Sequence, residues 1–194
     1  MDESEVTVDK LGITEYIPAA KRTESHTSGQ VYERISENAE FRAEMNAAIG
    51  VFIEASKALD RVKRYLYYKP KAMEFQPALD GHEMLDSFEL LKNDNMSRLF
   101  HAILGLCTES GELLEEFDAS MYRGEPLDPD KVFGELGDNE WYFAIGCDAM
   151  GFDPTAVLGG NIAKLKARFP DKFTTENALN RDIEAENRAL KGLS

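Results

Sequence analysis

Glu109-Ser110-Gly111-Glu112 and, further along, Glu135-Leu136-Gly137-Asp138 are two acidic pairs, each spaced i,i+3. On a helix that spacing projects both carboxylates of a pair from one face. The residues around them are apolar: Leu104, Leu106, Leu113, Leu114 and Phe117 near the first pair, Phe133, Leu136, Trp141, Phe143 and Ile145 near the second. Carboxylates gathered on the inner faces of two packed helices repel one another and lose hydration. A hard divalent cation between them removes the conflict, because such ions take oxygen ligands and neutralise the cluster. Tyr122-Arg123-Gly124-Glu125-Pro126-Leu127-Asp128-Pro129 reads as a break between the pairs. The expectation is a helix hairpin with an acidic pocket on its inner side.

Working outward, the hairpin's first helix is expected from Met96 to about Met121, with Asn95 as its N-cap. The second starts at Asp128-Pro129, a cap followed by proline in the first turn, and ends near Met150 with Gly151 at the C′ position. Asp153-Pro154 repeats the device for a helix ending near Arg168. Upstream, Ile35, Ala39, Phe41, Met45, Ile49, Ile53, Leu59, Val62 and Leu66 keep an approximate 3.6-residue period from Val31 to Tyr68, with Gly50 either dividing or only weakening the segment. Residues 78–93 hold a short helical candidate, and Asn180 to Leu190 a polar terminal helix. Residues 1–28 show no sustained period and are read as a loosely ordered arm, with Val6, Val8, Leu11 and Ile13 as a weak strand alternative. The fold class is all-α: a helical bundle over 81–175, an N-terminal arm and helical extension over 1–80, and a C-terminal tail over 176–194.

Composition narrows the function classes. The chain has 194 residues, 43% hydrophobic and 30% charged, with a formal net charge of −14. That balance supports a buried core and argues against non-specific attachment to nucleic acid or an anionic membrane, which needs a basic surface. Cys107 and Cys147 fall in apolar helical segments with no CxxC, as expected of buried thiols in a reducing compartment. The acidic start Met1-Asp2-Glu3-Ser4-Glu5 does not read as a signal peptide, so none is expected, and no apolar run reaches the length of a membrane span. A soluble cytoplasmic protein is expected.

Three blocks carry a resemblance. Gly105-Leu106-Cys107-Thr108-Glu109-Ser110-Gly111-Glu112-Leu113, then Gly134-Glu135-Leu136-Gly137-Asp138 with Trp141-Tyr142, then Asn161-Ile162-Ala163-Lys164-Leu165 with Arg168-Phe169-Pro170 follow the ExxE, ExxD and Asn-x-x-Lys-Leu-x-x-Arg order. Over roughly residues 95–175 the chain resembles the MazG-like family of all-α nucleoside triphosphate pyrophosphohydrolases. The resemblance implies Mg²⁺-dependent cleavage of a nucleoside or deoxynucleoside triphosphate between the α- and β-phosphates, with Mn²⁺ as a substitute ion. It also implies a homodimer or homotetramer built from a four-to-five-helix unit. It carries metal-binding and catalytic roles onto Glu109, Glu112, Glu135 and Asp138, and triphosphate or sugar binding onto Asn161 and Lys164.

The residues themselves weigh on these roles. Asn161, Lys164 and Arg168 share one helix face, so an amide, an ammonium and a guanidinium lie together. Arg168 has two readings, a phosphate ligand or a cation at a helix C-terminus. Trp141 is carried as a candidate platform for a nucleobase, against the reading of a core tryptophan between helices. Tyr142, Arg98 and His101 each have a pocket reading and a plain packing or surface one. Glu116 lies i+4 from Glu112 and reads either as a second metal position or as a solvated charge, whereas Glu115 reads as surface. A ferritin-like di-iron site is excluded, since Thr23, Leu79 and Arg98, not glutamates, stand three before His26, His82 and His101. The rival from another class is a non-catalytic acidic interaction protein with vestigial carboxylates; two complete acid pairs count against it.

Overall fold

Local capping signals fix most of the helix boundaries. The computed structural model describes residues 10–24, 34–68 and 89–192, and its regular structure is helical, with no strand among the described residues. In chain order the main helices are α1 (Ile13–Lys21), α2 (Ala39–Tyr68), α3 (Asp94–Arg123), α4 (Pro129–Met150), α5 (Pro154–Arg168), α6 (Thr175–Leu179) and α7 (Ile183–Leu190). The all-α expectation holds. No helix among the described residues is long and apolar enough to cross a membrane.

Asp128 and Asp153 cap α4 and α5 as expected, each accepting backbone N–H bonds with proline at the start of the helix. Gly124 and Gly151 end α3 and α4 in the left-handed region, at φ 67° and 68°. Several details sharpen or correct the sequence reading. The N-cap of α3 is Asn93, not Asn95: its side chain accepts from the N–H groups of Asn95 and Met96, so the helix starts two residues earlier. Gly50 does not divide α2, which runs through it. Part of the expected N-terminal arm is the helix α1. The expected terminal helix is present as α7, starting at Ile183, and the short α6 precedes it; Thr174 and Asp182 supply their capping side chains. The strand alternative at Val6 and Val8 lies outside the described residues. So does the helix candidate at 78–93, save for a 3₁₀ turn at Glu89–Lys92.

The chain forms two compact units, Asn38–Gly151 and the described residues up to Glu37 together with those from Phe152. In the first, α3 packs between α2 and α4. Thus α2, expected to belong to an N-terminal extension, packs directly on the helix that carries the first acidic pair. Ile53 of α2, Ala102, Leu104 and Ala119 of α3, and Tyr142, Cys147 and Ala149 of α4 are buried. Two glycines make this packing close. A Cβ on Gly105 would stand 2.2 Å from the Tyr142 ring, and one on Gly111 would stand 2.0 Å from Ser56 Oγ. Gly111 lies inside the first acidic pair, so the close approach of α2 to α3 falls at the carboxylates.

In the second unit α5 packs against α1 and α7. Arg22 Nη1 donates to the carbonyls of Phe169, Pro170 and Asp171, just beyond the end of α5. Glu186, 2% exposed, accepts from both Arg168 and Arg181. Those two guanidinium groups hold its carboxyl at about 2, outweighing the cost of burial.

Candidate metal centre

The i,i+3 spacing on α3 and α4 places the acids on facing helices. Oxygen atoms of Glu109, Glu135 and Asp138 lie within 4.8 Å of one another. Glu109 is buried, Glu135 half-buried and Asp138 exposed, so the cluster opens outward from its α3 side. Glu112 stands outside this trio, exposed, on the wall of the adjoining groove. The carboxyl of Glu135 is pushed up to about 7, first by burial, then by the charge of Glu112, by a hydrogen bond its protonated form shares with Glu109, and by the charges of Glu109 and Asp138. Glu112 is raised by burial and by Glu109 and Asp60.

Sequence reasoning missed the contribution of α2. Lys63, 4% exposed, donates to Glu109 Oε1 at 2.9 Å and to Thr108 Oγ1 at 2.8 Å. Its ammonium is also 3.4 Å from Asp60 Oδ1 and 5.1 Å from the centre of the Tyr142 ring. Burial opposes the charge, but the hydrogen bond to Glu109 and the charges around it win, and the pKa is raised. Asp60 Oδ2 is held in turn by Arg64 Nε at 2.7 Å. A signal was present: Lys63 falls in register with Ile53, Ser56 and Tyr67 on a helical seam, where an unpaired ammonium would be expensive.

Two adjoining cavities, about 650 and 470 Å³, share Asp60, Arg64 and Glu112. The first is flanked by the cations Lys57, Arg61 and Lys131. The second is walled by the aromatic residues Tyr68, Trp141 and Tyr142 and holds Lys63, Glu109 and Asp138. Trp141 is therefore not a core tryptophan; it is 51% exposed and edge-on to Tyr142, with ring centres 4.8 Å apart. Tyr142 is buried, and burial with the neighbouring Tyr68 hydroxyl pushes its pKa up to about 12.

The remaining candidates separate. Glu116 pairs with Lys131 at 2.8 Å and Glu115 with Lys57 at 2.9 Å, so Glu116 is an ion-pair partner on the groove wall. Arg98 pairs with Asp148. His101 stacks on Tyr67 with ring centres 4.0 Å apart, and burial together with Lys63 lowers its pKa. Asn161, Lys164 and Arg168 belong to the other compact unit. There Asn161 Oδ1 accepts from Tyr16, Lys164 is half-buried, and Arg168 commits its Nε and Nη2 to Glu186. Arg168 thus serves a buried ion pair between α5 and α7, which neither of its sequence readings included.

The donor set fits a hard cation. Glu135 Oε2 is buried and takes no hydrogen bond, which is costly for a carboxylate unless a cation completes it. Mg²⁺ holds its oxygens at about 2.1 Å, so opposite ligands stand roughly 4.2 Å apart. The three oxygens lie within 4.8 Å of one another, so a small side-chain adjustment would bring them onto one ion. All ligands are oxygen, the chemistry of Mg²⁺ or Mn²⁺ and not of softer ions.

No protein-family model matches the chain, and no curated protein and no solved structure matches it either.

Proposed function

We propose that the protein is a Mg²⁺-dependent nucleotide pyrophosphohydrolase that cleaves a nucleoside or deoxynucleoside triphosphate to the monophosphate and pyrophosphate. The observation that carries this reading is the convergence of Glu109, Glu135 and Asp138 with a buried, unbonded oxygen on Glu135. The resemblance of the ExxE and ExxD blocks to the MazG-like family supplies the reaction class.

When bound, the cation would neutralise phosphate oxygens and lower the pKa of a coordinated water. Glu109, Glu135 and Asp138 would hold it. Glu112, exposed beside them with a raised pKa, is the base assigned to orient the attacking water and take its proton. The exposed Trp141 face offers a stacking surface for the nucleobase. Lys57, Arg61 and Lys131 at the other end of the groove would draw the phosphates in and screen their charge. Asn161 and Lys164 are kept as triphosphate ligands on the resemblance alone, as is assembly into a homodimer or homotetramer.

Product analysis with Mg²⁺ or Mn²⁺ and a panel of ribo- and deoxynucleoside triphosphates tests the reading. Monophosphate with pyrophosphate is expected, and Glu112→Gln should slow turnover by about 100-fold or more while leaving the thermal unfolding curve in place. Release of inorganic phosphate and a nucleoside diphosphate, or no turnover with any triphosphate, would remove the assignment.

A further inference from the structure

The acidic centre is asymmetric in how its charges are met. On the α2 side the acids meet cations of the chain itself, and the Thr108 hydroxyl also donates to Glu109 Oε1. Lys63 Nζ lies 2.9 Å from Glu109 Oε1 and 3.4 Å from Asp60 Oδ1, and Arg64 Nε takes the other Asp60 oxygen at 2.7 Å. On the α4 side, among the described residues, neither Glu135 nor Asp138 forms an ion pair, and Glu135 Oε2 is buried with no hydrogen bond. One flank of the cluster is neutralised by the chain itself and the other is not.

We propose that Lys63 is the built-in second cation of this centre, so that the protein takes one divalent ion, held by Glu109, Glu135 and Asp138, and not two. This rests on the reading of the acids as metal ligands given above. Two-metal hydrolases set their ions about 4 Å apart and bridge them through a shared carboxylate. Here a second ion on the α2 side would have to draw on Glu109 and Asp60, the two groups that Lys63 reaches. An ammonium hydrogen-bonded to Glu109 and ion-paired with Asp60 at 3.4 Å cannot share that space with a divalent ion, since like charges at such range repel strongly in a partly dry site. Displacing Lys63 is costly as well, because its side chain is 5% exposed, between α2 and α3. A carboxylate can carry an ammonium on one oxygen and a metal on the other, so Glu109 serves both cations. Lys63 is thereby a positioning residue: it fixes Glu109 and supplies a permanent positive charge in the cavity that also holds Trp141 and Asp138.

The test counts ions directly. Mn²⁺ alone, without nucleotide, is titrated into the full-length protein, and free Mn²⁺ is followed by its electron paramagnetic resonance signal. The wild type should saturate at one ion, and Lys63→Ala at two, as Glu109 and Asp60 become available. Lys63→Gln removes the charge while keeping most of the side-chain volume, and is the second variant should the alanine form not fold; it too should take two ions. Two ions on the wild type would overturn the role of Lys63 and leave the hydrolase reading standing. One ion on the wild type and still one on a folded Lys63 variant would overturn it equally. No bound Mn²⁺ on the wild type would overturn both this inference and the metal centre beneath it.

Discussion

Lys63 and Glu109 form a buried pair whose members depend on each other. The Lys63 side chain is 5% exposed and that of Glu109 is 10% exposed. Removing one partner of such a pair leaves the other as an uncompensated buried charge, a loss on the order of 3–5 kcal/mol. Lys63→Ala should therefore unfold at markedly lower urea in chelator, and Mn²⁺ should restore part of the loss by replacing the missing charge. A urea melt of the variant that matches the wild type in chelator would rule this out. Glu135 behaves in the opposite sense. Its folded pKa, about 7, lies above the ordinary carboxylate value of 4.5, so between those values the folded state binds more protons than the unfolded one. By linkage, stability of the metal-free protein falls as pH rises through that window. Thermal melts in chelator should show this decline from about pH 5 to pH 7, and Glu135→Gln should flatten it, leaving the smaller slope due to Glu112. Bound Mg²⁺ should reduce the slope too, because it holds Glu135 ionised throughout.

At the scale of helices, Gly111 decides how closely α2 can approach the first acidic pair. A Cβ there would meet Ser56 Oγ at 2.0 Å and Ser56 Cβ at 2.3 Å, contacts that real side chains cannot make. Gly111→Ala must push the two helices apart, at roughly 1–3 kcal/mol for overpacking, and the separation should stretch the Lys63–Glu109 contact. Pairing it with Ser56→Gly should recover most of the stability, less about 1 kcal/mol for a glycine in a helix interior; the double variant's urea midpoint, compared with both single variants, checks this. What could be read from sequence divides along the same line. Asp128-Pro129, Asp153-Pro154 and Gly151 act through their own backbone neighbours, so the bounds of α4 and α5 were legible. The acids on α3 and α4 were legible because helical spacing alone puts each pair on one face. Lys63, Asp60 and Arg64 come from a helix far away in sequence, and only packing brings them to Glu109. The exposure of Trp141 was hidden for the same reason: its i+3 offset from Asp138 does not say whether a third helix covers it.

For the whole molecule, a formal charge of −14 sets a background against which any metal effect must be judged. Self-repulsion in so acidic a chain weakens the compact state, and monovalent salt relieves it by shortening the Debye length from about 30 Å at 0.01 M to about 10 Å at 0.1 M. Sodium chloride over that range should therefore raise the melting temperature even if no ion binds specifically. A divalent ion screens as well, so a rise with Mg²⁺ alone would not reveal a site. Two controls separate the effects. At matched ionic strength, Mg²⁺ should stabilise the wild type beyond sodium chloride, growing with concentration as binding linkage requires, by about 2.7 kcal/mol at a hundred times the dissociation constant. Glu135→Gln removes at most one unit of the same negative charge and so keeps the general screening response, but it deletes a ligand of the proposed centre. The extra Mg²⁺ stabilisation should shrink sharply in that variant while the sodium chloride response stays close to wild type. Equal Mg²⁺ gains in both proteins would mean that the ion acts on the acidic surface at large and that the cluster at Glu109, Glu135 and Asp138 does not hold it.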